Sequence, residues 1–289
     1  MSVLLIFIDG LGIGTRGEHN PFCAIESRLF GLFQGEEPRL PYDGKISITD
    51  ARLGIDGLPQ SATGQTTILS GVNAARVIGK HLHGYPSPRL RQVLQEHSIY
   101  RQLLASGRTV TFANCYSPEY FNRRPRHLSA TTVAAETAGV RLRTLDDLER
   151  GDAVSHDFSN YFLIGMGHPV RSATPETAGE RLARLAARHD FTLYEHFIPD
   201  LIGHRQNMEW ARDHLVLLTR FVCSVIDAAD LSRQTIVITS DHGNIEDLTT
   251  RSHTLNPVPT LAFGEGRDII HSRIESLTDI TPAIVQLLS

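Results

Sequence analysis

Three short segments concentrate side chains that could hold a cation. The first is Asp241-His242-Gly243, which breaks the apolar, β-branched run Ile236, Val237 and Ile238. Such a run reads as a strand covered on both faces of a mostly parallel sheet. Functional groups in open α/β sheets sit just past the carboxyl ends of strands, so this Asp and His should face a crevice, with His253 on the next loop. The second segment is Asp200 to His204, four residues apart at a helix start, where both side chains project from one face. The third is Asp9-Gly10, which ends the apolar run Val3 to Ile8 as Asp241-His242 ends the later one. Oxygen and nitrogen donors of this kind suit manganese, zinc or magnesium without choosing among them. Taken singly, each segment is equally an ordinary turn or helix pair.

Ser61 stands apart from these. Pro59 and Ser61 mark a helix entrance, where free backbone N–H groups and the positive end of the helix dipole suit an oxyanion or a phosphoryl group. A plain N-cap uses the same residue type. The spacing of Gly10, Gly12 and Gly14 lacks the full dinucleotide-binding fingerprint, and these glycines read as a flexible loop.

The elements that must position these residues follow from the rest of the chain. At 289 residues, 41% hydrophobic and 21% charged, it can bury a sizeable core as one large domain or as a core with an insertion. The pattern predicts an α/β fold, a mostly parallel sheet sandwiched by helices. Residues 1–75 and 196–289 form the metal-binding core, and residues 76–195 form an inserted, smaller α+β cap. Strands are expected at Val3 to Ile8, Ile46 to Ile48, Thr109 to Ala113, Tyr161 to Ile164 and Thr260 to Phe263, besides the Ile236 run, and the core resumes at Phe191 to Phe197. Helices are expected at Leu90 to Leu104, Thr177 to Ala187, Met208 to Ala229 and Leu277 to Leu288, the last with Pro282 in its first turn.

Composition excludes several classes. The net charge is −4 and no basic run is interleaved with aromatics, so nucleic acid is not an expected partner, and neither is a membrane. Cys23, Cys115 and Cys223 are widely spaced, which argues against a disulfide framework or a thiolate zinc site. The Val3 to Ile8 run is too short for a signal peptide, and a reducing, cytoplasmic setting is expected. Lysine occurs only at Lys45 and Lys80, so chemistry needing a lysine in the second half is unavailable. Thr63, together with Lys80, His81, His83, Asn114 and Arg124 in the expected cap, is a candidate for contacting a substrate in the crevice. His81 and His83 lack a third ligand nearby, and the Arg123, Arg124, Arg126 cluster is as readily a solvated face.

Together these residues resemble the alkaline phosphatase superfamily of two-metal enzymes, particularly its branch with cofactor-independent phosphoglycerate mutase and phosphopentomutase. The resemblance rests on Asp9-Gly10, on Ser61 three residues before Gly64, on Asp200 to His204, on Asp241 to Asn244, and on His253 to Pro259. It covers roughly residues 1–75 and 190–289. It implies that Asp200, His204 and His253 hold one divalent cation, and that Asp9, Asp241, His242 and the Ser61 oxygen hold the other. Manganese or zinc is expected first, with magnesium as a third choice. It also implies Ser61 as the nucleophile, with Thr63 and Thr66 as fallbacks. Ala62-Thr63-Gly64-Gln65 does not fit the sulfatase pattern. Phosphoglycerate mutases of this branch have a much larger insertion and a later active-site lysine, which this chain lacks. The resemblance therefore implies phosphomonoester hydrolysis of a small phosphorylated metabolite through a phosphoserine. A phosphomutase is the alternative, with a phosphodiesterase, a phosphonate hydrolase or a non-catalytic metal-binding protein as lesser ones.

Overall fold

The computed structural model describes residues 1–289 except Arg28. Its centre is one six-stranded sheet in the order β2-β6-β5-β1-β4-β3. The strands are β1 (Ser2–Ile8), β2 (Lys45–Thr49), β3 (Val110–Phe112), β4 (Phe191–His196), β5 (Gln234–Thr239) and β6 (Val258–Gly264). β1 pairs in parallel with both β4 and β5, and β4 pairs in parallel with β3. β6 is antiparallel to both β5 and β2, so it alone runs against the other five. The sheet is mostly parallel, as the apolar runs predict.

Because side chains alternate along a strand, β1 feeds two separate cores. Leu4, Ile6 and Ile8 pack with Leu182 and Leu185 of the helix Pro175–Ala186 and with Leu215, Leu218 and Val222 of the helix Met208–Ala228. Val3, Leu5 and Phe7 pack on the opposite face with Ile68 and Leu69 of the helix Ser61–Ser70, and with Ile280 and Ile284 of the helix Ile280–Leu288. These helices cover the sheet on both sides, which is why central-strand residues are apolar without alternation.

Strand direction decides where the chemistry collects. β1, β4 and β5 are parallel, so their carboxyl ends reach one edge of the sheet and deliver Asp9, the helix holding Asp200, and Asp241 there. β6 enters from that same edge because it is reversed, which brings the preceding loop and His253 back to it. β2 ends at Thr49 opposite Val258, again at this edge, and the chain then runs to Ser61.

The structure redraws three expectations. Residues 76–195 do not stand apart as a cap, since β3 and β4 lie within the common sheet and Leu103, Val133 and Ala134 join its core. Tyr161 to Ile164 is not a strand but part of a short helix, Tyr161–Gly165. Asn160 enters it with a left-handed backbone and bonds the Arg171 carbonyl, leaving no sheet edge for the segment to join. The stretch Leu90 to Leu104 is two helices, Pro88–His97 and Ile99–Ala105. Ser98 breaks the run with an extended backbone, and its hydroxyl caps the second helix. Among the described residues, no helix is long and apolar enough to cross a membrane.

The segment before β4 is tied down by one buried carboxylate. Asp147 is 1% exposed and accepts hydrogen bonds from Arg141 at 2.8 and 2.9 Å, from Arg150 at 2.8 Å and from the Thr144 backbone at 2.9 Å. The Arg141 guanidinium, above all, holds its carboxyl well below the usual carboxylate range, and the Thr144 bonds help. A depressed folded-state pKa stabilises above the unfolded value, near 4, and this contribution is lost as pH falls through the folded value. Asp147→Asn should therefore lower stability at pH 7 by about 2 kcal/mol, or roughly 3–6 °C in Tm, with the gap to the parent chain narrowing as pH is taken below about 4. Thermal melts that coincide at pH 7 would contradict this.

Candidate metal centre

Two overlapping groups of donors gather at the carboxyl edge of the sheet, Asp200 with His204 and His253, and Asp9 with Asp200 and His242. In the first, His204 Nε2 lies 3.3 Å from Asp200 Oδ2, and His253 Nε2 lies 3.4 Å from Asp200 Oδ1. The two imidazole Nε2 atoms are 3.3 Å apart. Their tautomers follow from the other side of each ring. His204 Nδ1 faces the Arg251 carbonyl at 2.6 Å, and His253 Nδ1 faces the Pro59 carbonyl at 2.9 Å. A carbonyl only accepts, so each Nδ1 carries the proton and the neutral ring turns its Nε2 lone pair inward. Two lone pairs and a carboxylate pointed at one another need a positive charge between them. Next to Asp200, chief among the causes, the His204 imidazole is raised to about 8, so a proton takes that place when no cation does.

The second group is deeper. Asp9, Asp241 and His242 are buried, the last two completely. His242 Nε2 is 3.3 Å from Asp9 Oδ1, 3.5 Å from Asp241 Oδ2 and 3.1 Å from Ser61 Oγ. Burial first, and then the neighbouring carboxylates, push Asp9 far above the ordinary range and Asp241 to about 7. Burial, above all, presses His242 down to about 3. These groups cannot all carry their normal charges in a dry site without a compensating cation. Asp9 Oδ1 and both carboxylate oxygens of Asp241 find no hydrogen-bond partner within the protein although they are buried. Buried oxygens are seldom left so, and unused lone pairs converging beside an imidazole are what a divalent cation requires. The residues present therefore fit two metal ions.

Several residues that sequence patterns did not single out hold this arrangement. Asn244 Nδ2 donates to Asp200 Oδ1 at 2.6 Å, and Gln65 Nε2 donates to Asp9 Oδ2 at 3.1 Å. Glu246 is fully buried. It accepts from the Gly12 and Asn244 backbones at 3.0 and 2.8 Å, from Thr254 Oγ1 and from Asn256 Nδ2 at 3.0 Å. One carboxylate thus fastens the loop after β1, the turn after β5 and the loop carrying His253. A side chain at Gly12 or Gly243 would come within 2.2 Å of it, so the glycines serve close packing and not the looseness expected of them. The cue lay in a Glu two residues beyond Asn244, but its partners are up to 234 residues away and no local pattern shows them.

Ser61 is the first residue of its helix, and Gln60, not Ser61, occupies the capping position. Its hydroxyl is therefore free of that duty and faces His242. The other substrate candidates are placed elsewhere. Thr63 is buried and donates to the Gln60 carbonyl, and Thr66 donates to the Ala62 carbonyl. Asn114 is buried and bonds the Glu195 backbone in both directions, linking the ends of β3 and β4. His81 lies against the Ile55 carbonyl, Lys80 and His83 are exposed, and Arg124 pairs with Glu136. The cavity next to Ser61, about 440 Å³, is lined instead by groups including Tyr116, His156, Glu195 and Phe197.

Replacing Glu246 by Gln keeps its shape but turns an acceptor of four bonds into a group that must also donate. This should cost about 2 kcal/mol of stability and weaken metal retention at least tenfold in a chelator titration. Asp200→Asn should leave the fold intact by circular dichroism while reducing tightly bound manganese, measured by elemental analysis, by about half. Unchanged manganese content in Asp200→Asn would show that the donors named are not the ligands.

Comparison with known proteins agrees with this geometry. Residues 171–289 match the family model of the metalloenzyme superfamily. Two 2,3-bisphosphoglycerate-independent phosphoglycerate mutases are similar over part of the chain. That of Dinoroseobacter shibae is 28% identical over 122 residues, 39% of this chain and 24% of that protein. That of Parasynechococcus marenigrum is 31% identical over 105 residues, 32% of this chain and 19% of that protein. The chain thus spans about a quarter or less of the curated relatives it matches. Among solved structures, the PH0037 protein of Pyrococcus horikoshii superposes with a TM-score of 0.62 at 13% identity, covering 99% of this chain and 97% of that one. The cold-active alkaline phosphatase of a Shewanella species gives 0.58 at 12% identity, covering both chains completely, which establishes the shared fold. Over residues 171–289 the chain thus matches the metalloenzyme superfamily, and its sheet has the fold of the alkaline phosphatases.

Proposed function

We propose that the protein carries out metal-dependent phosphoryl transfer through Ser61, and that its reaction is hydrolysis of a phosphomonoester. The observation that carries this reading is the Ser61 hydroxyl, 3.1 Å from His242 Nε2 and in the first turn of a helix that no side chain caps. Asp200, His204 and His253 would hold one cation, and Asp9, Asp241, His242 and Ser61 the other, with manganese, zinc or magnesium suiting the donor set. Such cations, when bound, lower the pKa of a hydroxyl and offset charge on phosphoryl oxygens.

The chain's own residues supply position. Gln65 and Asn244 orient the two carboxylates, and the Pro59 and Arg251 carbonyls fix the ring tautomers, so the donors need no rearrangement as charge develops. The Ser61 oxygen forms a bond to phosphorus as the bond to the leaving oxygen breaks, and the serine proton ends on the leaving alcohol. Water then cleaves the phosphoserine and regenerates the hydroxyl.

A second reading, phosphoryl return to the same substrate at another oxygen, is favoured by the relatives named as mutases. The absence of lysine after Lys80 weighs toward hydrolysis. Manganese-loaded protein incubated with a panel of phosphomonoesters should release inorganic phosphate, and Ser61→Ala should lower kcat at least 10³-fold while Thr63→Ala retains activity. Isomerised product without free phosphate would replace the hydrolase by a mutase, and trapped phosphate on Thr63 would overturn the role of Ser61.

A further inference from the structure

The walls of the Ser61 cavity restrict what can be attached to the transferred phosphate. Its acidic groups are Asp9, Asp200 and Glu195, and among the described residues no lysine or arginine lines it. Asp9 and Asp200 are accounted for by the cations. Glu195 is not. It is 5% exposed, its Oε2 accepts from Thr131 Oγ1 at 2.7 Å, and its backbone is clamped on both sides by Asn114 at 2.8 Å. The carboxyl is thus a fixed part of the wall. A second anionic group on the substrate, whether a carboxylate or another phosphate, would find no lysine or arginine in this wall to pair with its charge.

The rest of the lining is of a different kind. Tyr116, His156 and Phe197 form a continuous aromatic surface, with Tyr116 and His156 edge to face at 5.5 Å and His156 and Phe197 at 5.7 Å. The same three residues line a second cavity of about 260 Å³, which continues to Phe162, Leu163 and Met166. Phe162 stacks parallel to Phe197 at 6.3 Å, yet it is 44% exposed, and Met166 is 54% exposed. Tyr161, on the same short helix, is also exposed, and so is Phe121. Exposed apolar side chains grouped at the rim of a cavity that shares a wall with a reaction site mark a ligand-binding groove.

We infer that the leaving group is an uncharged alcohol bearing an apolar alkyl or aryl portion, which lies over Tyr116, His156 and Phe197 and reaches the Phe162 and Met166 cavity. Carboxylated and doubly phosphorylated metabolites are correspondingly poor substrates. This rests on phosphoryl transfer at Ser61 for the position of the phosphate, and binding can be measured apart from turnover. Calorimetry on the manganese-loaded protein with three non-hydrolysable phosphonates separates the two. Hexylphosphonate should bind at least tenfold more tightly than methylphosphonate, as burial of a few methylenes requires, and at least tenfold more tightly than 3-phosphonopropionate. Phe162→Ser, at a half-exposed position that the core does not need, should reduce the hexyl-to-methyl ratio at least fivefold. Equal affinities for the three compounds, tighter binding of 3-phosphonopropionate, or a ratio unmoved by Phe162→Ser would each overturn the inference. A failure of Ser61 chemistry would show instead as missing phosphate release from substrates whose phosphonate analogues bind in the expected order.

Discussion

The structure depends on a local electrostatic conflict. Asp9, Asp200, Asp241, His204, His242 and His253 turn lone pairs toward one small volume at the edge of a sheet, with most of these groups screened from water. Such crowding is unfavourable in a low-dielectric site unless positive charge occupies it. Protons can take part of that role, and His204 and Asp241 are shifted upward accordingly. A divalent cation does so with directed bonds to the same atoms. Cation binding and the order of four chain segments are therefore one problem in this fold, as linkage between ligand and native state demands.

Rigidity around the donors is built from neutral and acidic hydrogen bonds to the surrounding chain. The histidine Nδ1 protons go to backbone carbonyls, Gln65 bonds the Asp9 oxygen that faces away from His242, Asn244 holds Asp200 through Oδ1, and Glu246 binds three loops without entering either donor group. Outer partners of this type set the tautomer and direction of ligands. The close approach they need explains the small residues nearby. The helix Ser61–Ser70 can lie against Asp241 only because Gly64 has no side chain, since a Cβ there would fall 2.8 Å from the Asp241 backbone. That contact brings the Ser61 hydroxyl to His242.

Much of this was legible in the sequence, and the divisions between what was and was not have physical causes. Buried parallel strands are apolar on both faces, so Val3 to Ile8 and the Ile236 run declare themselves, and the Asp that ends each is conspicuous. The i, i+4 pair Asp200 and His204 is likewise a local pattern. Long-range partnerships leave no such trace. Glu246 looks like any surface acid until Gly12 and Thr254 are brought to it, and Asn114 looks like a loop residue until β3 and β4 pair. Tyr161 to Ile164 has strand-like composition, but the left-handed Asn160 and its bond to Arg171 commit it to a helix. The middle of the chain reads as a separate cap because its strands are short and its helices polar. Their register with β1 and the core, which only the fold reveals, makes them part of the same sheet.

In the proposed reaction, a cavity with a donor-lined floor and an aromatic wall assigns different tasks to the two halves of a phosphomonoester. The anionic half meets charge, and the uncharged half meets surface that water leaves readily. All of this assumes that the donors close on two metal ions. The most direct test is a crystal soaked in manganese, with anomalous difference maps collected at a wavelength where manganese scatters strongly. The account predicts two peaks, one bounded by Asp200, His204 and His253 and one by Asp9, Asp241, His242 and Ser61. Maps with no peak at this edge of the sheet, or with manganese bound only elsewhere, would contradict it.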